Sequence, residues 1–535
     1  ACWRTLRALP PDRAAYEQRR MLQHPRFPGL CQQVLRTSRY LTPGLLGYTL
    51  AAAVRLGIPL RSRLVQMLMR TAQQVSINEF NGRALGVVAS CLPFLLQDRN
   101  TQALRAALTM RAQLALPEVD RVPVLLMLMY HLGPTVPTAL KDKLVAWALF
   151  VLDQFTTANV LRLFFSLARM QHNAPELLSA ASPIITGNLQ ELKFSELLQL
   201  LKVCNQLGYH NTRLFSSIAE HAVTSLQLYS LNEVCTLLLL LSRLKFRHPG
   251  LLDAVALLLL QEQQQEQQQE QPKPCHLDKK NLMVLLHVYS LLNHQPHGAA
   301  ETFLGVLSSA LEHHLPELSA HELFVGVRAL CILGHRPPSA VASALLADHS
   351  CTQLLSVSVR KLKNELELQA IRLSLHLQKK LPGVPAAEAA PSSPDPNPSS
   401  LNRCPELPSV LIEALRGSGQ VRVGVTVGGL YSIGKFDCEA CLCADAEVTL
   451  QETEVLQFLQ ISTVAMLCCH PAEFCLGSQH PCGKLALKVR NLHALGYRVT
   501  LVSSSQWKRL QPERRVPFLR QKLQLASGMA AECGS

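Results

Sequence analysis

Two acidic residues in the last quarter of the chain are candidates for metal-dependent chemistry. Asp437 and Glu439 lie in the stretch from Phe436 to Cys443, whose pattern predicts a β-strand. A carboxylate on such a strand can bind a divalent cation, and metal-assisted hydrolysis needs clustered oxygen ligands. If the chain is a hydrolytic enzyme, these are the two residues that we expect to be catalytic.

Cysteines indicate a second kind of metal site. Cys438 and Cys441 form a C-x-x-C pair, and Cys475, Cys482 or His480 could complete a zinc site. Cysteines that alternate along a strand, as Cys441 and Cys443 do, are typical of small buried packing residues, which is the interpretation we favour, with a zinc site as the alternative. The seventeen cysteines of the whole chain are scattered and odd in number, which differs from a secreted disulfide framework and favours a reducing compartment.

A glycine-containing segment approaches a phosphate-binding motif without completing it. Gly429 to Phe436 follows G-x-x-x-x-G-K-[ST] except at the last position, where Phe436 replaces the hydroxyl that would hold magnesium. A predicted strand follows the segment, whereas a phosphate cradle needs the N-terminus of a helix. We therefore do not expect nucleotide hydrolysis at this segment.

One segment contains the residue types of a kinase catalytic loop, but their spacing does not match that motif. His276, Asp278 and Asn281 have the wrong spacing for H-R-D-x-x-x-x-N, and the chain has no D-F-G motif. Asp278 is better interpreted as the residue that caps the following helix.

Positive charge is concentrated at the N-terminal end. The net charge of the chain is +14, and residues 1–78 contain twelve arginines, no lysine and two acidic residues, a local net charge of +10. An arginine-rich, acid-poor segment suits a polyanionic partner, and it also fits what remains near a mitochondrial import sequence. We expect Arg55, Arg61, Arg63 and Arg70 to contact phosphate groups; the alternative is a solvated basic face.

Short breaks recur along the chain at a nearly constant interval. Equivalent positions in the breaks are residues 59, 135, 172, 210, 248, 294 and 335, which are 76, 37, 38, 38, 46 and 41 residues apart. The first interval spans two periods, with the missing break at Gln97. The interval of 46 residues contains the glutamine-rich insertion Gln261–Gln271, which predicts an exposed helical extension or a disordered insertion.

Each break follows an apolar segment with helical periodicity. Phe194 to Leu207 places its apolar residues on one stripe, and two other segments begin with S-x-x-E, at Ser230 and Ser319. A second apolar helix follows each break, so the repeating unit is a helical hairpin of about 38 residues. At least eight hairpins predict a mostly α chain with an α-solenoid over residues 41–380.

Composition divides the chain into four segments. Residues 1–40 form a basic N-terminal segment, residues 41–380 the solenoid, and residues 381–403 a linker rich in proline and serine. Residues 404–535 have mixed periodicity that predicts a small α/β domain. Its predicted elements are a helix at 409–416, strands at 421–427, 436–443 and 461–469, a helix at 484–495, a strand at 497–503 and a helix at 516–525.

The C-terminal segment resembles a known domain. Gly483 to Val502 contains a lysine-bearing helix and the run Leu-Gly-Tyr-Arg-Val, and the motifs Trp507-Lys-Arg-Leu and Phe518-Leu-Arg-Gln-Lys-Leu follow it. These spaced motifs resemble the RAP domain over about the last 70 to 130 residues. RAP domains cap helical-repeat proteins of mitochondria and chloroplasts, in the FAST-kinase-like and octotricopeptide-like families. The resemblance implies organellar RNA binding and a nuclease-like α/β fold.

The resemblance also implies where catalytic acids would lie. In many RAP domains the third strand ends in an acidic residue, and Cys469 occupies that position here. Cysteine removes one of the oxygen ligands that metal-dependent hydrolysis needs beside Asp437 and Glu439. We therefore expect a domain without catalytic activity.

The predicted helix at 484–495 is amphipathic and carries cations of this domain. Its three- and four-residue steps predict an outward face with Lys484, Lys488 and Asn491, and a buried face with Leu485, Val489 and Leu492. Lys484, Lys488 and Arg490 lie on it and Arg498 follows it, and we expect these four residues to contact RNA. Trp507 is interpreted as a core residue beneath the last helix rather than as a stacking platform.

The sequence thus predicts an RNA-binding protein of the mitochondrial matrix, with a plastid as the alternative compartment. It would bind single-stranded RNA along the solenoid and through the RAP-like domain, and act in RNA processing, stability or translation, with the mitochondrial ribosome or other RNA-processing proteins as further partners. The alternatives are a protein scaffold or mitochondrial ribosome assembly subunit, and a metal-dependent RNA endonuclease. We expect no cofactor and no metal, and no stretch approaches the roughly 20 apolar residues of a membrane span.

Overall fold

The structure is a computed structural model that describes most of the chain. The described residues are 5–6, 8–74, 79–96, 98–119, 121–267, 277–347, 361–378, 404, 406–415, 419–427, 431–442 and 462–527. They belong to two compact units, residues 1–221 and residues 222–535.

The first unit is built of helices that follow one another in hairpins. In chain order they are α1 (Pro11–Gln23), α2 (Phe27–Thr37), α3 (Pro43–Arg55), α4 (Arg63–Gln74), α5 (Gly82–Ala89), α6 (Arg99–Ala115), α7 (Val122–His131), α8 (Thr138–Phe150), α9 (Thr157–Met170), α10 (Pro175–Thr186), α11 (Phe194–Leu207) and α12 (Thr212–Thr224).

The second unit continues with the same kind of hairpin before it changes to an α/β arrangement. Its repeat helices are α13 (Leu231–Arg243), α14 (Pro249–Gln267), α15 (Lys279–Leu291), α16 (Ala300–His313), α17 (Ala320–Ile332), α18 (Ser339–Leu346) and α19 (Lys361–Gln378). The C-terminal elements are α20 (Leu407–Ala414), β1 (Gly419–Val427), β2 (Tyr431–Leu442), β3 (Ser462–Cys469), α21 (Gly483–Ala494), β4 (Arg498–Ser503), α22 (Ser504–Arg509) and α23 (Pro512–Ser527).

The helix positions confirm the repeat. The odd-numbered helices from α3 to α17, called the first helices here, begin at residues 43, 82, 122, 157, 194, 231, 279 and 320. The intervals between them are close to the predicted period except from 231 to 279, where the glutamine-rich insertion lies. Within that insertion α14 continues as a helix to Gln267, and residues 268–276 lie outside the described part of the chain.

Local interactions fix where the first helices begin and end. Ser230 and Ser319 form the predicted capping boxes with Glu233 and Glu322, in which side chain and backbone N–H bind each other reciprocally. Helix α11 covers Phe194–Leu207 as predicted, and it ends at Gly208, whose φ of +63° suits glycine best. Asp278 occupies the predicted N-cap position of α15, but its side chain makes no capping hydrogen bond.

In each unit the hairpins form two layers. The first helices pack against one another, α3 to α5, α5 to α7, α7 to α9 and α9 to α11 in the first unit, and α13 to α15 and α15 to α17 in the second. The second helix of each hairpin covers one side of this layer, so the apolar stripes of successive hairpins form a continuous core. The mostly α fold with helical-hairpin repeats is therefore confirmed.

The C-terminal elements form a sheet covered on both faces. The strand order is β1-β2-β3-β4, with β1/β2 and β2/β3 antiparallel and β3/β4 parallel. Side chains alternate along β3: Val464, Met466 and Cys468 pack with α20, α22 and α23, whereas Ala465 and Leu467 pack with α21. The small α/β domain at the C-terminus is thus as predicted.

The segment that resembles a phosphate-binding loop has no helix after it in the structure. Residues 428–430 lie outside the described part, and β2 follows directly from Tyr431. Among the described helices, none combines the length and the apolar character that crossing a membrane requires.

Candidate nucleic-acid interface

The four arginines predicted in the first unit lie around one helical hairpin. Arg55 is the last residue of α3 and donates a hydrogen bond from Nη2 to Ser90 Oγ at 2.8 Å. Arg61 lies in the turn that follows, and Arg63 and Arg70 lie two turns apart on α4. These last three side chains are exposed, so they are accessible to a polyanion, while Arg55 bridges two first helices.

A further cationic and aromatic contact was not predicted. Arg169 at the end of α9 places its guanidinium 4.5 Å from the ring centroid of Tyr130 on α7, and its Nη1 donates to Tyr130 Oη at 3.3 Å. Burial, together with the charges of Arg169 and Arg55, lowers the pKa of the neighbouring His131 to about 4. Arg169 lies at the same position relative to the start of α9 as Arg55 does relative to the start of α3, and this shared position was the sequence signal that could have identified Arg169.

Helix α21, which carries the predicted cations of the C-terminal domain, is covered on two sides. Its apolar face, with Leu485 and Leu492, packs on β3 as predicted. The opposite side contacts the repeat helices α15, α17 and α19. Asn491 is buried there and donates from Nδ2 to the backbone oxygen of Ala370 at 3.3 Å.

The C-terminal domain binds the ends of three successive first helices. Each of these helices leaves backbone carbonyls without intrahelical partners at its C-terminus, and donors between residues 476 and 490 bind carbonyls there or in the following turn. The bonds run from Leu476 N to Lys245 O (2.8 Å), from His480 Nε2 to Asn293 O (2.9 Å) and from Arg490 Nη1 to Cys331 O (3.0 Å).

Close approach at the start of α21 depends on a glycine. A Cβ added to Gly483 would overlap the backbone oxygen of Ser290, near the end of α15. Only a residue without a side chain allows the two helices this approach.

The predicted cations of the C-terminal domain have different surroundings. Lys484 forms an ion pair with Glu367, which also lies 3.5 Å from Arg328. Arg490 is half-buried, and it binds the carbonyls of Cys331 and Ile332. On the expected outward face, Lys484 is thus engaged within the protein and Asn491 is buried, so the prediction that this face points to solvent does not hold for these two residues. Lys488 and Arg498 are half-buried.

The candidate catalytic acids are placed only in part. The backbone of Asp437 and Glu439 lies on β2, where Glu439 pairs with Ala465 of β3, and their side chains lie outside the described residues. Cys469 closes β3 as predicted and is buried, with its thiol 3.5 Å from Leu467 O. The position that is acidic in many RAP domains thus carries a buried thiol.

Among the described side chains, two of the cysteines proposed as zinc ligands lie next to each other. The sulfurs of Cys475 and Cys482 are 3.9 Å apart and buried, and the hydrogen bond to Cys482, with burial, raises the pKa of Cys475. His480 is bonded to the backbone of Asn293 instead. Cys438 and Cys441 have side chains outside the described part of the chain.

Two features of the α/β core were not predicted. Cys404 and Cys468, which are 64 residues apart in the sequence, form a disulfide with their Cα atoms 6.3 Å apart. The scattered cysteines had favoured a reducing compartment, in which such a disulfide was not expected. The short helix α22 carries Trp507, which is fully buried beside this disulfide, as its interpretation as a core residue required.

Comparison with known proteins gives two domain matches. The family described as "FAST kinase-like protein, subdomain 1" matches residues 282–352, which begin within α15. The RAP domain matches residues 467–522, from the end of β3 into α23.

Relatives that match nearly the whole of this chain are named for the FAST kinase domain. "FAST kinase domain-containing protein 2, mitochondrial" of Mus musculus is 30% identical over 526 residues, which cover 98% of this chain and 73% of the relative. The Homo sapiens protein of that name is 30% identical over 524 residues, covering 98% and 71%. The Rattus norvegicus protein is 29% identical over 526 residues, covering 98% and 73%.

Proposed function

The chain belongs to the family of FAST kinase domain-containing proteins, and from this premise we propose that it is a mitochondrial RNA-binding protein. It acts in the matrix on single-stranded RNA, in processing, stability or translation, and it catalyses no reaction itself. Its further partners are RNA-processing proteins or the mitochondrial ribosome.

The match of the RAP domain to residues 467–522 carries this proposal. The domain follows a repeat region whose N-terminal part is strongly basic, and basic side chains supply the phosphate contacts on which RNA affinity depends. Repeating helical hairpins suit a long ligand because each hairpin adds one more position for contact.

The proposed phosphate contacts differ between the two units. In the first unit they are the accessible Arg61, Arg63 and Arg70, with Arg55 beside them. In the C-terminal domain the proposed contacts are Lys488 and Arg498. Lys484 and Arg490 were expected to bind RNA too; because they contact Glu367 and helix-end carbonyls, we propose them as positioning residues for the domain.

The absence of catalysis in this proposal is supported by Cys469. A buried thiol at the end of β3 supplies no hard oxygen ligand, and hydrolysis assisted by magnesium or manganese depends on several such ligands. A metal-dependent endonuclease would need Asp437 and Glu439 to assemble the site without it.

Crosslinking in isolated mitochondria tests the proposal. The tagged full chain is irradiated in the organelle, purified under denaturing conditions, and the attached RNA is sequenced. We expect a defined set of mitochondrial transcripts above the level of a matched, non-crosslinked sample. Recovery of protein partners without RNA would contradict the proposal and favour the scaffold alternative.

A further inference from the structure

Four of the five first helices of the first unit lack acidic residues, and the exception is α11, which carries Glu196 in its first turn. The sequences of α3, α5, α7 and α9 contain neither aspartate nor glutamate. On α9, Arg162, Phe165 and Arg169 follow three- and four-residue steps, so they share one face, and both arginines are exposed. On α7, Tyr130 is exposed as well, with 36% of its surface accessible.

These side chains are connected across neighbouring helices. Arg55 of α3 reaches Ser90 just after α5, and Arg169 of α9 reaches Tyr130 of α7, in each case by a hydrogen bond to a hydroxyl oxygen. Helices α5 and α7 pack against each other, and Ser90 and Tyr130 both lie at the C-terminal ends of these helices, so the two contacts occupy neighbouring helix ends. We call the residues Arg55, Tyr130, Arg162, Phe165 and Arg169 the first-helix face.

The chemistry of the face favours one class of ligand. A tyrosine ring with a guanidinium over it combines an aromatic surface with positive charge, and both suit the π-face of a nucleobase. Arginines on helices that contain no carboxylate of their own suit phosphate groups. An acidic protein segment would engage the arginines but would leave the aromatic rings without a matching group.

We infer that the first-helix face binds single-stranded RNA, with a base stacked on the Tyr130–Arg169 pair and phosphates bound by Arg162 and Arg55. The inference rests on the proposed function and specifies where and how the RNA is held. It also assigns a role to residues outside the predicted arginine set, of which only Arg55 belongs to the face.

Two fluorescent probes separate stacking from charge. One is an oligouridine of about twenty nucleotides, and the other is an abasic ribose-phosphate strand of the same length. For the full chain, we expect Tyr130→Ala to weaken oligouridine binding about tenfold and abasic binding less than about twofold. Tyr130→Phe keeps the ring and should stay within about threefold of wild type.

Arginine variants test the charge. Arg162→Gln removes a proposed phosphate contact, so it should weaken binding of both probes and lower the slope of log affinity against log salt by about 0.7. Arg213→Gln is the matched control, because Arg213 is exposed on α12, a second helix of the same unit, and should leave both values unchanged. Circular dichroism and thermal unfolding establish that each variant is folded.

The outcomes distinguish the inference from the proposed function. If wild-type protein binds oligouridine and Tyr130→Ala and Arg162→Gln bind it equally well, the first-helix face is not the RNA site and the inference is wrong. If wild-type protein binds no RNA, the proposed function itself is wrong. If polyglutamate displaces oligouridine and its own binding shows the same dependence on Tyr130, the occupant is an acidic protein segment, which also overturns the inference.

Discussion

The arginines of α4 and the cations of α21 have the same charge but different surroundings. Arg63 and Arg70 extend into solvent from a helix of the first unit. Arg490, on α21, is half-buried and bonded to the carbonyl oxygens that end a repeat helix. Exposed carbonyls at a helix C-terminus carry about half a negative charge, so they attract a guanidinium much as a phosphate does. A basic helix in a repeat protein can therefore bind the protein itself.

This comparison identifies α21 as a helix that docks on the repeat helices, and α4 as part of a surface for a ligand. The prediction with the largest expected effect tests the docking of α21. Gly483→Val adds a branched side chain where even one carbon overlaps the backbone of Ser290, so α21 has to move away from α15. We expect a loss of about 3 kcal/mol in the stability of this contact, measured as about a hundredfold loss of amide-exchange protection in α21.

A matched glycine controls for helix effects in this experiment. Gly305 lies within α16 of the same unit, and an added Cβ there meets nothing within 4 Å. Gly305→Ala should leave exchange in α21 unchanged. The added methyl group meets no neighbour, and alanine favours the helical conformation of α16 itself. Unchanged protection in Gly483→Val would remove the docking interpretation.

The second prediction concerns the other half of the comparison. Replacing Arg55, Arg61, Arg63 and Arg70 with glutamate should weaken single-stranded RNA binding by at least about tenfold, for all sequences alike. If all four contact phosphates, the salt slope should fall by about 3. The corresponding glutamine variant should give a smaller loss, because it removes attraction without adding repulsion. An unchanged affinity and slope would show that this patch does not contact RNA.

Sequence patterns predicted the repeat elements well, for a physical reason. The helical stripe of Phe194–Leu207 and the boxes at Ser230 and Ser319 depend on residues within a few positions of one another. Helix α22 was missed because its six residues are too few to show periodicity, so Trp507 was placed in the core without its helix.

The contacts of α21 were not predictable in the same way. Arg490 and the carbonyl of Cys331 are 159 residues apart, and Cys404 and Cys468 are 64 residues apart. Amphipathic spacing distinguished the apolar face of α21 correctly, but it cannot show whether the polar face meets solvent or another helix. That distinction decides which cations are available to RNA.

A third prediction sharpens the assignment of Lys484. Lys484→Glu should reduce exchange protection in α21 by about 0.5 to 1 kcal/mol, because it places a second carboxylate beside Glu367. The effect is small because the Lys484 side chain is about half exposed and water screens the repulsion. In a Glu367→Gln background the same change should have a smaller effect, because the repulsion is absent. If Lys484 instead contacts RNA, Lys484→Glu will weaken RNA binding equally in both backgrounds while exchange in α21 stays the same.

The smallest expected effect is no effect, and it tests whether the α/β domain has a role beyond docking and RNA contact. Asp437→Asn removes the charge of a candidate metal ligand on β2, and Cys469 already supplies no oxygen at the end of β3. We therefore expect wild-type protein and Asp437→Asn to leave crosslinked RNA equally intact when each is incubated with magnesium or manganese. Gel analysis of end-labelled RNA provides the measurement, with Glu439→Gln as a second variant. Cleavage by the wild type that both substitutions abolish would make the domain a nuclease.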